Sequence, residues 1–545
     1  MKKICKTLAM TIISLVMVVC LSSCSIKSIL NVLLDMAFTG EISLEYTMTK
    51  EDLTEFAEII EDCEKEGMSG VSIVSLSLAI NQMNEKFTYI RNQSILAYLA
   101  YCQDRTDPIA LANYKEAEEI VTSARSLSMG MMKKLSEESP IKDQIFEGLS
   151  EEDMKLLQAD HAKIAQYQLA NSELTRQFHA LDEESETWSK DVANLYVQLV
   201  ANNQAMAELY DAEEYYTFTS ENGYYRKHTP ETRNEFRDYV AKYIYPMIQD
   251  VYTQMQTAQW ALTETQMETY AKLLKDATCL KDYRASYEGP LRYKMGAMFE
   301  GNCAIFAQSE NALKGAFVQY LPEEEHPVAY FGPGYQDNLT LVHENGHFAS
   351  MFYFDNSSLP FELAETHSQG NEWMYVSYLN TLDTIDDVVM DAFTLSRAFS
   401  GMVTILYSTM VDEFEEIVYT SETPVKAEEF AGIMQTVTAK YEGCAELFTK
   451  FGLRDPFEYI QYVTVSSPCY YLSYATSEIA SMSLYAIANE KGYKEAQAVY
   501  TTLQEGIDPT LDFLPAIERA GLLSPLVEST YQSLENVFLG KKQNA

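Results

Sequence analysis

The sequence predicts a mostly α-helical protein with one small β-sheet beside the helix that carries its chemistry. Three observations lead there. Gly and Pro number only 22 and 15 among 545 residues, few for a turn-rich β architecture. Long stretches repeat apolar residues at helical spacing, as in EDLTEFAEIIEDC near the start. One short stretch, residues 315–335, instead has β-branched and aromatic runs split by Pro and Gly, the texture of a hairpin.

Taken in order, the first 23 residues read as an export signal. Lys2, Lys3 and Lys6 supply a basic start, an apolar run follows, and Leu21-Ser22-Ser23 precede Cys24. A cysteine directly after small residues resembles the lipid-acceptor position of a bacterial lipoprotein signal. The expectation is therefore cleavage before Cys24, lipid on Cys24, and a protein held at the outer face of the cell membrane by that anchor alone. No later segment is read as a spanning helix. Residues 24–50 form a tether. From about residue 51 to 224 the chain reads as consecutive amphipathic helices, one of them running through EGLSEEDMKLLQADHAKIAQYQLA from a start signal at Ser150. A break at Ser220-Glu221-Asn222-Gly223 is followed by a helix that Thr229 caps and Pro230 opens. Helices resume after the hairpin, from Asn338 onward.

Composition excludes some partners. The net charge of −40, from 80 acids against 40 Lys and Arg, leaves no basic face for nucleic acid phosphates. Six cysteines follow Cys24 (Cys63, Cys102, Cys279, Cys303, Cys444 and Cys469) without a CxxC pair, so they form no thiolate zinc site. A chain of this length folds without needing to pair them.

The chemistry is concentrated in LTLVHENGHFASMFYF. His343 and His347 lie four apart, on one face of a helix, where two imidazoles can hold one zinc ion. Glu344, roughly 100° around the helix, can reach a water at that ion and serve as general base. Gly346 is an expensive residue mid-helix unless a strand or substrate must come close there. A third ligand is sought in FELAETHSQGNEWMYV, which offers Glu362, Glu365, His367 and Glu372. Glu365 and Glu372 share a helical face, whereas His367 sits about 200° from Glu365. Glu365 is therefore chosen as ligand, with His367 the alternative, and Glu372 as the acceptor that orients a ligand imidazole.

HExGH followed by ExxSQxxE resembles the zinc peptidases related to thimet oligopeptidase and oligoendopeptidase F. The resemblance runs more weakly outward, through GYYRKHTPETRNEFRDYVAKYIYP, KGAF and PCYYLSYATSE, over about residues 223–489. It implies a two-lobed helical body with a long substrate channel, one zinc per chain, and cleavage of short unstructured oligopeptides. It further implies that Gly315, Ala316 and Phe317 lie on a strand that pairs with bound peptide, and that Tyr471 and Tyr474 donate to substrate and oxyanion. The catalytic region then spans 225–545. One departure stands out: the family has a late histidine before the tyrosines, and here Tyr462 or Thr464 occupies that place. A peptide-binding lipoprotein with weak or no turnover is therefore the alternative to a zinc metalloendopeptidase.

Overall fold

A computed structural model describes residues 43–70, 73–352, 359–508 and 510–540. The signal, Cys24 and most of the tether lie outside these residues. The first helices are α1 (Lys50–Ser69), α2 (Ile73–Gln103) and α3 (Pro108–Glu138). They pack together around a core of their own that includes Phe56, Ile90, Ile120 and Leu135. Local sequence sets their ends. Thr49 and Asp52 form a reciprocal capping box at α1, and Asp107 caps α3 just before Pro108.

The single helix expected after Ser150 is two, α4 (Glu151–Leu157) and α5 (His161–His179). Ser150 caps the first with Asp153 in a capping box. Asp160 interrupts the run because its carboxylate accepts from the Lys163 amide and starts a new helix. The hydrophobic cores also divide earlier than residue 225. The small core ends at Leu157, and the large one begins at Leu174 on α5 and continues to Phe538.

After α6 (Tyr215–Asn222) the chain passes through residues 223–229 into α7 (Pro230–Tyr239), where Thr229 caps and Pro230 opens the helix as the sequence predicts. A π-turn over Val240–Ile244 leads into α8 (Tyr245–Trp260). The sheet follows as β1 (Ala304–Phe306), β2 (Ala316–Leu321) and β3 (His326–Phe331), in the order β1-β3-β2. β2 and β3 are the expected hairpin, antiparallel with Ala316 opposite Phe331 and Leu321 opposite His326. β1 was not legible as a strand; it runs parallel to β3. Helix α9 (Asn338–Met351), begun by Asp337 accepting from the Leu339 and Thr340 amides, packs on this sheet. Next come α10 (Phe361–Leu379), α11 (Asp387–Tyr419), α12 (Leu472–Lys491) and α13 (Tyr493–Glu505). Helix α11 is long and apolar enough by length and composition to cross a membrane, contrary to the sequence reading, yet it is largely buried within the large core and packs against α8 and α12.

Candidate metal centre

Helices α9 and α10 cross at Gly346. A Cβ there would lie 2.4 Å from the His367 carbonyl oxygen and 2.7 Å from the Ser368 Cα. The close neighbour is thus the backbone of α10, where the sequence suggested a strand or substrate. The crossing brings His343, His347 and Glu365 together, with one potential ligand atom from each inside a 4.8 Å span. His343 Nε2 is 3.6 Å and His347 Nε2 3.4 Å from Glu365 Oε2. A tetrahedral ion with bonds of about 2.0–2.1 Å holds its ligand atoms about 3.3–3.4 Å apart, so the donor set fits zinc in kind and spacing.

Two of the three donors, His343 and Glu365, are held from behind, whereas His347 Nδ1 has no hydrogen-bond partner among the described residues. Glu372 Oε1 accepts from His343 Nδ1 at 2.9 Å, which turns Nε2 toward Glu365. The other oxygen of Glu372 lies 2.8 Å from Arg397 Nε, and Arg397 also pairs with the buried Glu478. Ser368 Oγ donates to Glu365 Oε2 at 3.0 Å, and Tyr470 donates its hydroxyl to Glu365 Oε1. From the far side, Tyr500 donates to the His367 carbonyl at 2.7 Å and Gln504 to the Gly346 carbonyl at 3.2 Å.

The carboxylates have opposed electrostatics. Burial alone would raise Glu365, but His347, His343 and the Tyr470 bond outweigh it and hold its pKa near 2. Glu344 is buried too, and there burial wins over the two imidazoles and raises its pKa above the ordinary range. Its Oε2 has no hydrogen-bond partner among the described residues. A carboxylate kept ionised suits a ligand, and one poised upward suits a proton acceptor. His343 follows the same logic: burial lowers its pKa, yet Glu372 more than compensates and the value rises to about 9.

His367 stands apart from this set. It is fully buried, its Nε2 lies 3.3 Å from the Leu503 carbonyl, and burial pushes its pKa down to about 3. Among the tyrosines, Tyr474 lies beside the centre, raised first by burial and then by the charges of Glu365 and Glu344. Tyr471 instead interacts with Tyr459. The phenol that touches Glu365 is Tyr470, which the sequence reading missed. Tyr462 packs against Phe178 and Arg454, and Thr464 is buried.

Ala316 and Phe317 lie on β2, with Gly315 just before it. β2 pairs only with β3, so its second edge joins no other strand among the described residues. Phe317 stacks on Tyr330 at 5.0 Å and meets Tyr98 of α2 at 5.5 Å. A cavity of about 370 Å³ opens there, lined by Tyr98, Arg105, Tyr114, Arg176, Leu313 and Pro468 among others.

No sequence-family profile matches the chain. An oligoendopeptidase F homolog from Borreliella burgdorferi is 32% identical over 170 residues, 29% of this chain and 27% of that protein. The chain thus aligns with about a quarter of that relative's length. The solved oligoendopeptidase-F of Enterococcus faecium superposes with a TM-score of 0.55 at 16% identity, covering 90% of this chain and 96% of that one. The fold is that of oligoendopeptidase F. PZ peptidase A, solved with an inhibitor, has the same fold at a TM-score of 0.68 and 15% identity, covering 93% of this chain and all of that one. The likeness in oligoendopeptidase F fold therefore extends well into the N-terminal helices, beyond the stretch where sequence motifs are recognisable.

Proposed function

We propose that the protein is a zinc metalloendopeptidase acting on short unstructured oligopeptides. The observation that carries this reading is the convergence of His343, His347 and Glu365 beside the buried carboxylate of Glu344, whose Oε2 has no hydrogen-bond partner among the described residues. These three side chains would hold zinc, which when bound supplies Lewis acidity that acidifies a water and polarises the scissile carbonyl. Glu344 accepts the water proton at its carboxylate and returns it to the departing amine. Tyr474 donates its hydroxyl to the oxyanion that develops on the carbonyl. At Gly315–Phe317 the side of β2 away from β3 takes up an extended peptide by backbone pairing, giving affinity with little sequence preference. Metal analysis of the purified chain and turnover of a quenched peptide panel test this. One zinc per chain with peptide cleavage is expected, and zinc-free protein or zinc-loaded protein without cleavage overturns it.

One observation favours a second reading, peptide binding with weak or no turnover: no histidine follows His367 in the sequence. Tyr470 and Tyr474 are then the phenols available near the centre, and the same turnover assay separates the two readings. We also propose that Cys24 carries lipid and tethers the protein outside the cell membrane, on the strength of the sequence before it.

A further inference from the structure

The segment between α6 and α7 makes bonds that the proposed chemistry does not use. Arg226 is only 2% exposed. Its guanidinium donates to the Cys469 carbonyl at 2.6 Å, the Tyr470 carbonyl at 2.5 Å and Ser473 Oγ at 2.7 Å. Two residues earlier, Tyr224 donates its hydroxyl to the Pro468 carbonyl at 2.6 Å and lies under the guanidinium. Two residues later, the His228 ring meets Glu362 on α10 at 2.7 Å, and Thr476 of α12 donates to the same carboxylate oxygen. One short stretch thus grips both the helix that bears Glu365 and the turn that bears the tyrosines.

The gripped turn needs holding. Cys469 has φ +59° and Tyr225 φ +55°, left-handed conformations that non-glycine residues keep only when their surroundings over-determine them. On the opposite side, Glu415 of α11 accepts from the Cys469 amide at 2.9 Å. A planar guanidinium fork serves two successive carbonyls at once, which a lysine ammonium on a flexible stem does not.

We infer that Arg226 is a positioning residue that fixes the turn before α12 and the first residues of that helix, and with them Tyr470 and Tyr474, against Glu365. This rests on the proposed peptidase reading only for its kinetic consequence. Two measurements on the full chain test it. By hydrogen exchange, Arg226→Lys should accelerate the amides of residues 469–474 by about tenfold or more while those of 343–347 stay unchanged; equal exchange in both proteins overturns the inference. In peptide hydrolysis, Arg226→Lys should lower kcat by about tenfold, in the range seen when groups supporting a site are altered, with KM nearly unchanged. The same change in a Tyr474→Phe background should cost far less, because both act through one group. Losses that multiply independently overturn it. A parent protein without turnover counts against the proposed function alone, and the exchange comparison still decides the clamp. If Arg226→Lys does not fold, Tyr224→Phe, which deletes only the Pro468 bond, is put through the same exchange and cycle with the same outcomes read.

Discussion

Gly346 sits so close to His367 that a Cβ would lie 2.4 Å from that residue's carbonyl oxygen. Ala in place of a mid-helix Gly ordinarily gains about 1 kcal/mol. Here backbone blocks the added methyl, and overpacking of that kind costs about 1–3 kcal/mol. Gly346→Ala should therefore lower Tm and weaken zinc binding. Gly130, on α3 with nothing within 4 Å of a built Cβ, is the control: Gly130→Ala should raise Tm. Thermal melts of the two variants against the parent check both signs.

Glu344→Gln keeps size and hydrogen-bonding capacity while removing the basic carboxylate. It should retain zinc and bind peptide, with kcat/KM lower by about 10²-fold or more. Equal cleavage by parent and variant would remove Glu344 as the base.

Glu365→Ala and His367→Ala separate ligand from neighbour. Metal analysis should find the first variant depleted of zinc and the second loaded, since His367 is turned to the Leu503 carbonyl. The reverse pattern would reassign the third ligand.

Zinc uptake should depend on pH in a defined direction. In the metal-free protein Glu372 raises His343 to about 9, so below that pH the incoming ion must displace a proton. Affinity therefore falls as pH drops from 9, whereas Glu365, near 2, stays ionised throughout. Glu372→Gln removes the charge that holds the proton and should flatten the slope. Chelator competition between about pH 6.5 and 8.5, below the His343 value, measures it.

Cys24→Ala expressed in the parent cell should lose lipid labelling and change its processing, because the apolar segment before Cys24 is the part expected to be removed. Unaltered labelling would end the lipoprotein reading.

Sequence reasoning reached what is set by local periodicity. His343 and His347 share a face because four residues make about one helical turn, and Ser150 and Thr229 cap because capping needs only the next three residues. It failed where tertiary partners decide. The resemblance points to Tyr471 and Tyr474, three apart and so in phase on a helix, but α12 begins only at Leu472. Tyr470 lies before the helix, in the turn held by Arg226, and so reaches Glu365 outside that phase. β1 has three residues and exists through pairing with β3 about 25 positions on. Arg226 and His228 belong to the motif GYYRKHTPETRNEF, but their partners lie 134 to 247 residues away, and no local pattern announces such bonds.

The wide separation of these partners also sets a timetable for synthesis. A growing chain exposes both histidines long before it contains Tyr470, and the Gln504 bond to the Gly346 carbonyl closes a gap of 158 residues. At elongation rates of about 5–20 residues per second, that gap takes about 8–30 s to make. For most of that interval the centre lacks Tyr470 and Tyr474, and throughout it lacks the rear support of the complete α13, so the nascent chain passes through its own birth with the site incomplete.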